Sequence, residues 1–188
     1  MTGFRRISER ELHQGYFWRV VAAEFEAPDG ERFHRDIVRS PGAVGVVPLI
    51  FDAEGNASVL LVEQYRVALE RNIIEIPAGM RDVEDEPPEL TAHRELIEEA
   101  GLQAGRLDHL VDILPSPGLT DSVTIVFLAT GCSPVERELH GPEEQHMTLL
   151  HLPLGDALAM IDSGEIADAK TVVGLLATQR LLERDVRR

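Results

Sequence analysis

Two spacings of apolar and polar residues run along this chain, one typical of strands and one of helices, and the changes between them divide it into elements. Residues 15–25 alternate around aromatic and β-branched side chains, Pro28-Asp29-Gly30 signals a turn, and residues 32–38 are set to return as a hairpin partner. Two fuller apolar runs, residues 43–51 and 58–65, flank the turn-forming Asp52-Ala53-Glu54-Gly55-Asn56 and predict central strands. Residues 72–76 form a shorter strand that ends at Pro77-Ala78-Gly79, where proline fixes the approach and glycine permits a tight turn. Residues 107–113, 123–130 and 148–152 predict three further strands. Residues 154–163 and 167–183 carry helical spacing, with Leu176, Leu181 and Leu182 on the apolar stripe of the last helix. Mixed strands with a helix among them and helices at the end predict an α+β or layered α/β/α arrangement rather than an all-β barrel.

The spacing becomes helical at residue 88. Pro87-Pro88 suits a first turn, where a missing N–H is harmless, and Gly101 is placed as a left-handed C-cap, so the pattern predicts a helix over residues 88–100. At about 100° per residue, Glu95 and Glu99 project from nearly the same side, and Leu96 and Ala100 point toward a core. Glu98 lies about 60° away from that pair. Two readings fit this density of carboxylates: a solvated acidic face, or oxygens gathered around a hard cation.

Composition narrows the rest. A chain of 188 residues with 44% hydrophobic content can bury one sizeable core. Its formal charge of −15 argues against broad nucleic-acid binding, which needs a basic footprint, yet allows a phosphate substrate in a pocket whose sign is set by a cation and a few arginines. Residues 1–14 are polar and contain no apolar signal core, and no run approaches the ~20 apolar residues of a membrane helix, which points to a cytoplasmic protein without a membrane partner. The single cysteine, Cys132, permits no internal disulfide and suits packing better than catalysis. Histidines 93, 140, 146 and 151 have no zinc spacing, and no glycine-flanked serine suggests a covalent hydrolase.

Gly79, Glu86 and the run Arg94-Glu95-Leu96-Ile97-Glu98-Glu99-Ala100-Gly101-Leu102 together resemble the Nudix box, the signature of hydrolases that cleave a nucleoside diphosphate linked to another group. Six residues rather than the family's five separate Gly79 from Glu86, so the loop is one residue longer and a metal contact from Glu86 is put in doubt. The resemblance implies the Nudix fold, a mixed sheet between helices, with residues 1–40 as a small N-terminal antiparallel sheet that helps build a homodimer and residues 41–188 as the hydrolase domain. It implies Mg²⁺ or Mn²⁺ held by Glu95, Glu99 and the carbonyl of Ala78. Glu98 would be a third carboxylate with a catalytic part, bridging a second metal or hydrogen-bonding the attacking water, and Arg94 would orient it across one helical turn.

The same resemblance suggests a substrate. Ser116-Pro117-Gly118-Leu119-Thr120-Asp121 looks like the proline-bearing loop that marks ADP-ribose pyrophosphatases, with Gly118 as a substrate contact, although Ser122 stands where family members often carry glutamate. Glu63-Gln64-Tyr65-Arg66 ends a predicted strand and places Arg66 to touch a diphosphate, which the guanidinium fork suits. Arg35 is a second candidate for that contact. Trp18, with Tyr16 and Phe17, is a candidate for stacking on adenine, and at least two of these three aromatics are expected in the core. Relatives acting on ADP-ribose take their catalytic base from a glutamate in the loop matching residues 142–145, which makes Glu144 the first choice and Glu143 the second. The resulting expectation is hydrolysis of ADP-ribose or another ADP-sugar, a small-molecule substrate, to AMP and ribose 5-phosphate. The alternatives are a hydrolase of another nucleoside diphosphate sugar or dinucleotide, and a module that senses ADP-ribose without cleaving it.

Overall fold

At the N-terminus, strands form with little burial to drive them. A computed structural model describes residues 3–186, excepting the side chains of Pro142, Glu143, Asp185 and Val186. Strand β1 (Arg5–Gln14) pairs with β2 (Arg19–Glu26), and β2 with β3 (Arg32–Arg39), all antiparallel. Only Val21 and Ala23 are fully buried here, so pairing rests heavily on the ladder itself and on cross-strand ion pairs such as Arg5–Glu26 at 3.0 Å. β1 occupies much of the stretch read from sequence only as polar and charged. The predicted strand over residues 15–25 is corrected at its start: Gly15 to Trp18 make the β1–β2 connection, closed by Gly15 N–H donating to Trp18 O at 2.8 Å. The expectation that two of its aromatics are core residues is also corrected. Tyr16 is 91%, Phe17 43% and Trp18 48% exposed, because the connection lifts them off the sheet.

Leu114–Val123 belongs to this same compact unit, although the 71 residues Ala43–Ile113 intervene after Gly42. Val38 N–H donates to Leu119 O at 2.9 Å, and Asp121 accepts from the Arg39 guanidinium at 3.0 Å and from Ser40 N–H at 3.1 Å. The smaller unit is therefore discontinuous in sequence.

The larger unit is organised by β4 (Ala43–Phe51), whose residues from Val44 to Leu49 are all buried. Successive side chains face opposite ways, so such a strand needs cover on both sides. Its sheet also contains β5 (Ala57–Arg66), β6 (Arg71–Glu75), β7 (Ala78–Met80), β9 (Arg106–Ile113), β10 (Thr124–Thr130) and β12 (Thr148–Pro153). The order β12-β5-β4-β10-β9 is antiparallel except for the β4–β10 pair, with β6 on β5 and β7 on β4. Short strands β8 (Leu102–Gln103) and β11 (Ser133–Pro134) pair apart from it.

Helix α1 (Pro88–Ala100) covers one face: its Ala92, Leu96 and Ala100 pack with Val44, Val46, Phe127 and Ala129. Helices α3 (Leu154–Ser163) and α4 (Ala169–Val186) cover the other, where Leu154, Ala157 and Leu175 meet Val47, Leu49, Val126 and Leu128. This is the expected α+β fold, a mixed sheet between helices. The loop expected at residues 142–145 instead lies in a short helix, α2 (Gly141–Gln145). Among the described residues no helix is long and apolar enough to cross a membrane.

Candidate functional site

Helix α1 starts at the proline pair and stops at Gly101, whose φ of 62° is the left-handed conformation that glycine adopts without a steric penalty. These limits fix which residues face the sheet, and with them the carboxylates. Glu95, Glu98 and Glu99 are only 7%, 9% and 4% exposed. Isolated buried carboxylates lose solvation they cannot easily recover, so a solvated acidic face is ruled out. Burial is the main cause that pushes the Glu99 carboxyl up to about 8 and the Glu95 carboxyl up to about 7, with repulsion from neighbouring carboxylates adding to it. Glu98 is shifted upward for the same first reason.

Protein donors meet part of this charge. Ala78 N–H donates to Glu99 Oε2 at 2.8 Å, which ties the loop before Gly79 to the helix. Arg94 fans across four acids, at 2.9 Å to Glu95, 3.3 Å to Glu98, 3.3 Å to Asp82 and 3.4 Å to Glu86. Glu86 also accepts from Thr91 Oγ1 at 2.7 Å, so the longer loop is pinned to the first turns of α1. With the carboxylates so engaged, no three His, Cys, Asp or Glu side chains among the described residues are gathered in a shape ready to hold a metal ion. The donor set nonetheless fits a hard divalent cation. Three carboxylates lie buried together, two of them, Glu95 and Glu98, sharing the Arg94 guanidinium, and a β-carbon at Gly79 would fall 2.0 Å from Glu95 Cδ, so β7 leaves that space to the carboxylate.

The segment around α2 approaches the same face. His140 Nε2 lies 3.6 Å from Glu98 Oε1, and His140 N–H donates to Glu144 Oε2 at 2.5 Å. The Glu144 charge contributes in a minor way to the upward shifts of Glu95, Glu98 and Glu99. The Glu143 side chain lies outside the described residues.

Arg66 ends β5, where Glu75 fixes it in a bidentate grip: Nε donates to Oε1 at 3.0 Å and Nη2 bonds Oε2. Its charge acts to lower the pKa of Glu99. Glu75, 2% exposed, also accepts from Gln64 at 3.1 Å and pairs with Lys170 at 3.1 Å. Sequence motifs do not single out Glu75, Lys170 and Asp168 as part of this group. The signals were an acid inside the apolar run Ile73-Ile74-Glu75-Ile76 and a lysine that is the only one in the chain.

The remaining candidates belong to the smaller unit. Arg35 and Gly118 line one cavity of about 430 Å³ with Phe4, Phe25 and Phe33, and the Arg35 guanidinium sits 4.8 Å from the Phe33 ring centre. Trp18 lines a separate cavity with Phe17, Arg19 and Arg39.

Known proteins resemble this chain in sequence and in fold. The model of the NUDIX domain matches residues 39–173. An ADP-ribose pyrophosphatase of Mycobacterium tuberculosis is 38% identical over 93% of this chain and 82% of its own length. One from Bacillus subtilis is 34% identical over 91% of this chain and 90% of its own. The crystal structure of an ADP compounds hydrolase superposes with a TM-score of 0.83 over 99% of this chain and 97% of that one, at 21% identity, a likeness of fold. With the family's domain matching residues 39–173, which include the acidic helix, and relatives above 30% identity along nine tenths of its length, this chain belongs to the Nudix family and is a Nudix hydrolase.

Proposed function

We propose that this enzyme splits the diphosphate of ADP-ribose, and of related ADP-sugars, into AMP and ribose 5-phosphate by attack of water, using Mg²⁺ or Mn²⁺. The observation that carries the reading is the burial of Glu95, Glu98 and Glu99 on one helix face, where the Arg94 guanidinium reaches only Glu95 and Glu98. The ADP-ribose pyrophosphatases among its relatives support the choice of substrate.

Glu95, Glu99 and the Ala78 carbonyl would hold the cation, with Glu98 as the third carboxylate. When bound, the metal neutralises phosphate oxygens and lowers the pKa of water. Arg94 keeps Glu95 and Glu98 in place through its bonds to both. Arg66 presents its guanidinium to the diphosphate. Glu144 takes the proton of the attacking water, with Glu143 as the alternate base. Arg35, Gly118 and Trp18 are further substrate contacts in this reading, and the small N-terminal sheet helps join two copies in a homodimer.

A substrate panel of ADP-ribose, GDP-mannose, diadenosine polyphosphates and NADH, run with and without Mg²⁺, tests this. ADP-ribose should rank among the best and turnover should stop on chelation; metal-independent turnover would overturn the mechanism. Glu144→Gln should lower kcat at least about tenfold, ~1.4 kcal/mol of barrier, while divalent-cation binding persists. The variant amide oxygen can still accept from His140 N–H, so an unchanged rate would remove Glu144 from the base's role rather than report a disordered segment.

A further inference from the structure

Seventeen of the chain's eighteen basic Lys and Arg residues are arginine; the exception, Lys170, is partly buried. Its side chain is 14% exposed, and its Nζ lies 3.1 Å from Glu75 Oε2 and 3.1 Å from Asp168 Oδ2. The position is a costly one. Lys170 stands in the first turn of α4, where the helix dipole disfavours a cation, and burying an ammonium forfeits its hydration. Helix α4 does not need it for its start, because Asp168 Oδ2 already accepts from Thr171 N–H at 3.0 Å and Thr171 Oγ1 at 2.7 Å. Nor does it need it for docking: Thr171 Oγ1 accepts from Ile76 N–H at 2.9 Å, and Gly174 lets the helix approach Val47 and Val126.

What Lys170 adds is a second cation on Glu75. That carboxylate uses Oε1 for Arg66 Nε, and Oε2 for Arg66 Nη2, Gln64 and Lys170. Arg66 is thereby gripped along one edge, and Nη1 is the terminal nitrogen not committed to Glu75. With Lys170 and Asp168 included, two cations face two anions, so the Arg66 charge need not collapse inward to balance Glu75 and Asp168 alone. An ammonium suits this task better than a guanidinium. It is a compact point donor able to serve two carboxylates at once, and a second planar fork would compete with Arg66 for the oxygens of Glu75.

We propose that Lys170 is a positioning residue for the substrate's diphosphate: it holds Glu75 so that Glu75 holds Arg66 with its Nη1 edge turned to the phosphate oxygens. This rests on the reading of Arg66 as a diphosphate contact.

The test is a double-mutant cycle on ADP-ribose hydrolysis at saturating Mg²⁺, with Arg66→Ala, Lys170→Met and the pair. Lys170→Met should raise KM about tenfold with kcat within about threefold of wild type, and the pair should be no more than about twofold worse than Arg66→Ala alone. Effects that multiply would mean Lys170 acts independently of Arg66; the proposal falls and the role of Arg66 stands. An unchanged KM in Arg66→Ala would defeat the reading of Arg66 itself, and the proposal with it. Should Lys170→Met fail to fold, Lys170→Gln, which keeps an N–H donor without the charge, takes its place in the cycle with the same outcomes.

Discussion

Glu99→Gln should lower kcat for ADP-ribose by at least about a thousandfold, ~4 kcal/mol of barrier, without loosening the protein. The substitution keeps the side chain's size and an oxygen able to accept the Ala78 N–H now donated at 2.8 Å, so the loop before Gly79 stays tied to α1. What disappears is one anionic oxygen from the group that would hold the cation. Steady-state rates at saturating Mg²⁺ measure the effect. A loss smaller than about tenfold would take Glu99 out of the ligand set.

The same variant carries a stability signature of opposite sign. Burial raises Glu99 from 4.5 to about 8, so the folded chain retains a proton that the unfolded chain has already released. Stability from this group is fully present below about 4.5 and is lost as pH rises through that window to about 8. Glu95 adds a parallel loss between 4.5 and about 7. The metal-free wild type should therefore melt at progressively lower temperature from pH 5 to pH 8, and Glu99→Gln should show a shallower slope. A divalent cation, binding only the folded state, should restore the wild type at high pH and help the variant much less.

How much of this was readable beforehand depended on whether local and long-range forces agreed. Helix α1 matches its expected limits of 88 and 100 because Pro88 and Gly101 punctuate it locally while Leu96 demands the same phase from the core. β4 matches residues 43–51 because an unbroken apolar run suits a strand covered on both faces. β1 carried no such signal: its residues are nearly all exposed or half-exposed, so no period marks a buried face. Tyr16, Phe17 and Trp18 followed strand-like alternation, yet turn geometry overrode it. At the site, spacing on one helix was enough to group Glu95, Glu98 and Glu99. The pairing of Glu75 with Lys170 joins residues 95 positions apart, and no local pattern encodes a contact of that range. The extra residue before Glu86 showed in the sequence as a departure, and its consequence, a loop tied to both Thr91 and Arg94, required coordinates.

Gly79→Ala should cost about a hundredfold in kcat/KM for only about 1–3 kcal/mol of stability. The added β-carbon would sit 2.0 Å from Glu95 Cδ and 2.1 and 2.3 Å from its two oxygens, so something must move. The backbone is the less yielding partner. Gly79 pairs with Val44 across β7 and β4, and Val46 N–H donates to Pro77 O at 2.8 Å just upstream. The root of Glu95 is no freer, since the neighbouring Leu96 is fully buried against the sheet. The end of the Glu95 side chain must therefore swing aside, giving up the 2.9 Å contact with Arg94 and its place among the carboxylates. A displacement of that kind damages geometry far more than folding, which is why activity and stability should part company. Urea unfolding read beside kcat/KM separates them, with Gly155→Ala as the control: a β-carbon there meets nothing within 4 Å, so both quantities should stay near wild type. Full activity in Gly79→Ala would mean that the Glu95 carboxylate need not stand where the loop now holds it.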